Sequence, residues 1–325
     1  MKVLITGGTG FIGNNLTAIL LDKGYEVSIL SRTPKQNKKS KLKYIKGDLT
    51  DVASLNQLRN KINNIDIIFN LAGVLPYHHL SENNYWQVNT EGTRNLLDIC
   101  KNSKIKRFVH VSTTGIYGST IYADEKSKLH LDSAYTKSKA AGEKLVYSCY
   151  QNEKLPITII RPTIAYGEGD TRPGFFNLFP LIKKRIFVPV GNGKNFFHTI
   201  YVGNLVEALI LAATKKEAIG EDFIIGDDPC PTMEQIIKTI AKVEEVTIWP
   251  FYIPQKLSFI IGKFFDITHN IGVPSVLNTQ RVKFITENKK FNINKAKKIL
   301  GYKASINLEE GIKRTYLWYK ENKYL

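Results

Sequence analysis

A doubly wound α/β fold, in which a parallel sheet is covered by helices on both faces and completed by a smaller C-terminal cap, is what this chain predicts. From Met1 to about Arg161, short aliphatic runs alternate with stretches of helical spacing, and the first run ends in a glycine turn that opens the first helix. The strand runs are 2–6, 26–30, 43–45, 66–70, 107–111 and 157–160, each too short for a helix. Between them, 11–23, 51–61, 85–102 and 134–151 carry apolar residues at helical spacing. After 166–170 the texture changes to Pro173, Pro180, Pro189 and the turn Gly191-Asn192-Gly193, which places the boundary of the cap. Residues 1–165 are therefore expected to form the sheet domain and 166–325 mainly the cap, with segments near 198–226 returning to the main sheet. Cap helices are expected over 203–213, 232–242, 294–300 and 308–322, with short strands around 199–202 and 223–225.

The bulk properties are those of a folded protein: 325 residues, 43% hydrophobic and 23% charged. The first residues read as a strand and lack the zones of a signal peptide. Cys100, Cys149 and Cys230 lie far apart without metal-ligand spacing, so a reducing, cytoplasmic setting without disulfides is expected. Charged residues interrupt every long apolar run, which argues against integral membrane association. Residues 257–265 are the strongest amphipathic candidate, and a helix covering a substrate pocket is preferred there to membrane-surface contact. The net charge of +17 favours an anionic partner, and Lys35, Lys38, Lys39, Lys41, Lys43 and Lys46 crowd one polar stretch. Lys far outnumbers Arg, and Ile and Asn are frequent, so the first reading of this charge is a composition bias that leaves a solvated basic surface. The six histidines form no metal signature, and His78 and His79 are read as solvent-facing.

Thr6-Gly7-Gly8-Thr9-Gly10-Phe11-Ile12-Gly13 follows the first strand and opens the first helix, the context in which a glycine turn binds a dinucleotide. Glycines allow close approach of the main chain to a pyrophosphate, whose charge is stabilised by the free amides and positive end of the helix. The expected contacts are Gly7, Thr9, Gly10, Phe11, Ile12 and Gly13. The second strand ends Leu30-Ser31-Arg32 without an acid for the ribose, and Arg32 suits a 2′-phosphate, so NADP(H) is favoured over NAD(H). Asp48, followed by Leu49, is placed to receive the adenine amino group or to cap a helix near Asp51. Tyr135 and Lys139, four apart on a predicted helix, share one face, where an ammonium stabilises a phenolate.

With these motifs the sequence resembles the extended short-chain dehydrogenase/reductase family of Rossmann-fold enzymes. The family includes nucleotide-sugar epimerases and dehydratases, 3β-hydroxysteroid dehydrogenases and dihydroflavonol reductases. The likeness spans nearly the whole chain, adding Asn70-Leu71-Ala72-Gly73, 88–93, 111–118 and Arg161-Pro162-Thr163 to the glycine turn and the Tyr-Lys pair. It implies an NAD(P)-binding domain, Tyr135 as acid/base, Lys139 as ribose ligand and electrostatic partner, and Thr113 as donor to the reacting oxygen. Ser112 and Thr114 neighbour Thr113 as candidates for the same duty. It also implies that Leu71, Ala72 and Gly73 line the cofactor beside Asn70, and that Asn89 supports the active-site helix or makes a structural hydrogen bond.

Within the family, dehydratases carry Asp-Glu after the catalytic Thr, where this chain has Thr114-Gly115. Epimerases carry Asn after Arg-Pro-x and an Arg that grips the diphosphate, where this chain has Ile164 and Phe197. These apolar residues point to the 3β-hydroxysteroid dehydrogenase and dihydroflavonol reductase branch, although Gly203-Asn204 stands where an acidic pair is usual. The expectation is net hydride transfer on a ketone or secondary alcohol. The alternatives are a 4-epimerase of nucleotide sugars with tightly held NAD, and a non-catalytic dinucleotide- or RNA-binding protein. A small-molecule substrate is the expected partner, a homodimer is the assembly considered, and no aromatic-basic motif calls for nucleic acid.

Overall fold

The computed structural model describes residues 1–36, 39–76, 80–249, 252–269 and 279–325. Its first half runs β1 (Lys2–Thr6), α1 (Phe11–Asp22), β2 (Glu26–Ser31), β3 (Leu42–Lys46), α2 (Asn56–Arg59), β4 (Ile67–Asn70), α3 (Glu82–Tyr85), α4 (Gly92–Cys100), β5 (Arg107–Val111), β6 (Thr120–Ala123), α5 (Ala134–Glu153) and β7 (Ile157–Pro162). The second half runs β8 (Ile164–Tyr166), α6 (Phe175–Lys183), β9 (Thr199–Tyr201), α7 (Val202–Thr214), β10 (Asp222–Ile225), α8 (Met233–Val243), α9 (Gln255–His269), α10 (Thr279–Thr286), β11 (Lys289–Phe291) and α11 (Leu308–Glu321).

Seven strands form one sheet in the order β10-β7-β5-β4-β1-β2-β3, and every neighbouring pair is parallel. The order reverses next to β1, which opens a crevice beyond its carboxyl end, where α/β sheets take their ligands. Because side chains alternate along a strand, β1 sends Val3 and Ile5 to one core and Leu4 to the other. The first core is closed by Leu16 and Leu20 of α1 and Leu205, Ala208 and Leu209 of α7; the second by Leu96 and Leu97 of α4 and Val146 of α5. A third core joins α6, α8 and α11 through Phe179, Ile236, Ile240 and Tyr319. This makes the doubly wound α/β architecture expected from the alternating pattern, with β10 supplied from beyond residue 165.

Several elements differ from the periodicity. The helix expected over 51–61 is a set of short turns, because Asp48 and Asp51 accept the amide protons of Thr50 and Ala53 and so compete with helix bonds. The helix expected over 85–102 contains a π-helical turn at Trp86–Glu91. In the cap, the segment expected over 294–300 is a π-helical turn at Ala296–Leu300. Pro180 lies inside α6, which explains why a breaker reading missed that helix. β9 falls within the short strand expected around 199–202, whereas its parallel partner β8 and the parallel pair of β11 with β6 escaped the sequence reading because each of these strands is only three or four residues long.

Candidate active site

The glycine turn is shaped by contacts that exclude side chains. Gly7 has φ +68°, and a Cβ there would lie 2.8 Å from Ala72 N; a Cβ on Gly13 would lie 2.2 Å from Gly7 O. Gly10, the residue before α1, has no side chain to cap the helix, so the first-turn amides face the loop. The end of β4 is bound to the same place, since Thr6 Oγ1 donates to Asn70 Oδ1 at 2.6 Å and accepts from Ala72 N at 3.2 Å. Gly7, Thr9, Gly10, Phe11, Ile12, Gly13, Leu71, Ala72 and Gly73 are thus gathered around one crevice. Main-chain atoms that a side chain would obstruct form a cradle suited to a pyrophosphate.

Other expected cofactor residues sit at its flank. Arg32 is exposed immediately after β2. Asp48 Oδ1 accepts from both the amide and the hydroxyl of Thr50, a local turn in place of the helix cap near Asp51 that was one of its two expected roles. The Leu49 side chain is buried in the second core, so only its main chain is available to a ligand. His78 and His79 lie outside the described residues, as does Lys38.

α5 begins at a capping box in which Ser133 and Thr136 bond reciprocally, fixing the helix one residue before Tyr135. The buried ammonium of Lys139 donates to Val111 O at 2.6 Å, and burial lowers its pKa to about 8 against the opposing pull of Glu143. Its neighbour His110 is held neutral by burial and by that ammonium, with Nδ1 3.1 Å from Asn70 Nδ2. The Tyr135 ring meets Tyr85 edge to face, at 6.3 Å between centroids.

The three hydroxyls of 112–114 separate by environment. Thr114 donates to Pro162 O from a buried position, and Ser112 Oγ is buried without a partner among the described residues. Thr113 Oγ1 is partly open and accepts from Gly115 N at 3.0 Å, which leaves its own proton to donate. Asn89 comes from the π-helical turn: its amide group donates to Ser138 Oγ at 3.0 Å and Val74 O at 3.3 Å, and its Oδ1 accepts from Val74 N. Gly142 permits the close approach, since a Cβ there would lie 2.7 Å from Asn89 O. The turn thus ties the loop after β4 to α5.

Residues that a motif reading leaves unassigned hold this frame together. Arg161 is buried, bonded through Nε and Nη2 to Glu143 and through Nη1 to Tyr117 Oη at 2.8 Å and to Asp222. Asp227 accepts from Tyr201 N and Thr199 Oγ1 and from Asn204 Nδ2, all within 3.2 Å. The carboxylate absent from Gly203-Asn204 is therefore present nearby on another segment; burial raises its pKa to about 6 despite these donors. Phe197 is only 3% exposed, edge to face with Phe284, and the Lys289 ammonium lies 4.4 Å from the Phe284 ring. A groove of about 620 Å³ lies on the cap beside Asn195, Glu234 and Tyr252, and neither Tyr135 nor Thr113 lines it.

The model of the NAD dependent epimerase/dehydratase family matches residues 3–226. The chain belongs to that family. As a member of the NAD dependent epimerase/dehydratase family it is an enzyme of the extended short-chain dehydrogenase/reductase type that uses a nicotinamide dinucleotide. It is 31% identical to dTDP-D-glucose 4,6-dehydratase from Dictyostelium discoideum, over 99% of this chain and 82% of that protein. It is 30% identical to the decarboxylating sterol-4-alpha-carboxylate 3-dehydrogenase of Candida albicans, over 99% of this chain and 98% of that protein. Among solved structures, UDP-glucuronic acid 4-epimerase from Bacillus cereus in complex with NAD shares the fold at a TM-score of 0.77 and 23% identity, covering 99% of this chain and 97% of that one. No described helix is long and apolar enough to cross a membrane.

Proposed function

We propose that the chain catalyses net oxidation of a secondary alcohol, or reduction of the corresponding ketone, on a substrate with an apolar body. The observation that carries this is Phe197, buried beneath Phe284 where epimerases of the family place the arginine that grips a diphosphate. A buried diphosphate facing these rings would lose hydration without gaining charge-assisted hydrogen bonds. The cation beside these rings, Lys289, is turned to main chain, its ammonium donating to Phe284 O at 2.6 Å. Ile164 adds a second apolar side chain on β8. The likeness to a sterol dehydrogenase over almost the full length of both proteins agrees with this reading.

When bound, the dinucleotide supplies the hydride acceptor or donor at its nicotinamide. The chain supplies the rest: Tyr135 Oη takes the alcohol proton in oxidation or returns it in reduction. The Thr113 hydroxyl donates to the oxygen as it gains negative charge. Lys139 stabilises the phenolate, and Gly7 to Gly13 with Leu71 to Gly73 hold the dinucleotide. Asp48 receives the adenine through its second carboxylate oxygen, and Leu49 contributes main chain only. At Arg32, after a strand end without an acid, we assign the preference for NADP(H), to be tested by titrating NADPH and NADH into wild type and Arg32→Ala. Equal discrimination by the two proteins would remove Arg32 from that role, and tighter NADH binding by wild type would overturn the preference.

The decisive assay sets UDP- and dTDP-hexoses against a panel of hydrophobic ketones and secondary alcohols supplied with either dinucleotide. Absorbance change with the second panel is expected. Inversion of a nucleotide sugar without net dinucleotide consumption would overturn the reading in favour of an epimerase.

A further inference from the structure

An amphipathic helix of a globular protein ordinarily turns its apolar stripe inward. α9 does the reverse. Ser258 and Gly262, four apart, are buried, and Asp266 continues that inner face by accepting from the amide and hydroxyl of Thr279 at the start of α10. The outer face carries Leu257, Ile260 and Phe264, which are 47%, 65% and 63% exposed. The stripe is not isolated. Trp249 Nε1 donates to Arg185 O, and Ile253 exchanges main-chain hydrogen bonds with Pro189 and Gly191, so 185–191 is bound to Trp249 and to Ile253 just before α9. Ile186, Val188, Trp249 and Tyr252 are 40–60% exposed.

The exposed charges around this surface are predominantly cations. Lys183, Lys184 and Arg185 are exposed at one end and Lys256 and Lys263 on the helix itself. Of the acids nearby, Asp266 is on the inner face, Glu234 is paired with Lys238 and Glu244 is buried, which leaves Glu245 exposed. Apolar side chains raised on a convex helix, a tryptophan beside them and a ring of cations form the combination that seats a helix at the headgroup level of an anionic bilayer. A second copy is a poor occupant: a two-fold contact through this face would bring the Lys256 and Lys263 of two chains, each of net charge +17, close together.

We propose that α9, with residues 185–191, Trp249 and Tyr252 beside it, is a membrane-surface docking face, which inserts Ile260, Phe264 and Trp249 among the acyl chains while the lysines contact anionic headgroups. This rests on exposure and charge, independently of the reaction assigned to the site. The test is co-sedimentation of the full chain with vesicles of phosphatidylcholine alone or with about 30% phosphatidylserine. Wild type should partition onto the anionic vesicles about tenfold better, and high salt should weaken the binding. Ile260→Ser with Phe264→Ser, and separately Lys256→Glu with Lys263→Glu, should each abolish most of it while melting temperature and dinucleotide affinity stay at wild-type values. Undiminished binding by the Ile260→Ser, Phe264→Ser protein would overturn the proposal, because general attraction by the basic surface would then suffice. Equal, weak partition of wild type onto both kinds of vesicle would overturn it too. So would a wild-type dimer in sedimentation velocity that these two serines dissociate.

Discussion

The two sides of the crevice are built by different means. On the side of β1 and β4, the surface proposed to hold the dinucleotide is mostly main chain, shaped where glycine leaves room, with the side chains of Arg32 and Asp48 at its flank. On the side of β5, β7 and the cap, it is made of side chains, each oriented by partners remote in sequence: Lys139 by Val111 O, Asn89 by Ser138 and Val74, Phe197 by Phe284. Main-chain recognition tolerates few substitutions but suits any substrate. Side-chain recognition can be retuned while the dinucleotide end stays as it is.

That contrast is broken most directly at Tyr135. Tyr135→Phe keeps the ring and removes the transferable proton, so turnover should fall by about 10²–10⁴-fold while dinucleotide affinity changes by less than about threefold. Lys139→Met should lose both, since one ammonium serves the two sides. Steady-state kinetics beside fluorescence titration of the reduced dinucleotide separates these effects, and turnover within about threefold of wild type in Tyr135→Phe would remove it from proton transfer. Gly13→Ala tests the main-chain side. Its Cβ would meet Gly7 O at 2.2 Å, and the overlap should cost about 1–3 kcal/mol, read as about 10–100-fold weaker dinucleotide binding. Unchanged affinity would show that the cradle yields.

The smallest effect expected lies in the cap, far from either recognition surface. Burial raises the Glu244 carboxyl to about 7, and its oxygens have no hydrogen-bond partner among the described residues. A carboxyl raised in the folded state binds its proton more tightly there than in the unfolded chain. Its contribution is therefore fully present below the unfolded value and is lost as pH rises through about 7. Glu244→Gln should flatten stability between pH about 4.5 and 7 and gain about 1 kcal/mol at higher pH, measured by denaturant melts. A profile identical to wild type would place the charge in water.

Much of the main-chain side was legible in the sequence, because a strand, a glycine turn and a helix are contiguous and their physics is local. The Tyr135 and Lys139 pair was legible for the same reason, being one turn apart. Arg161 was quoted as part of a motif, but its partners Glu143, Tyr117 and Asp222 are brought together only by the fold, so nothing in the spacing announced a buried ion network. Asp227 was missed because the position examined for an acid was Gly203-Asn204, and the compensating carboxylate comes from beyond β10. The π-helical turn at Trp86–Glu91 was invisible to a periodicity count, which registers apolar recurrence and not one extra residue in a turn. The same limit applies to 257–265, where spacing revealed an amphipathic helix but not which face the protein would cover.

The placement of charges along α5 has an evolutionary consequence. Tyr135, Lys139 and Glu143 recur every four residues, so one rigid rod carries the proposed acid/base, its proposed electrostatic partner and the anchor of Arg161. Substitutions along that rod would affect chemistry and folding together and be removed by selection on either. Phe197 and Ile164 pack in or against the third core but carry no part of the proton chemistry proposed for α5. Descendants of this chain would be expected to explore new substrates there first, leaving α5 as the slowest-changing part of the molecule.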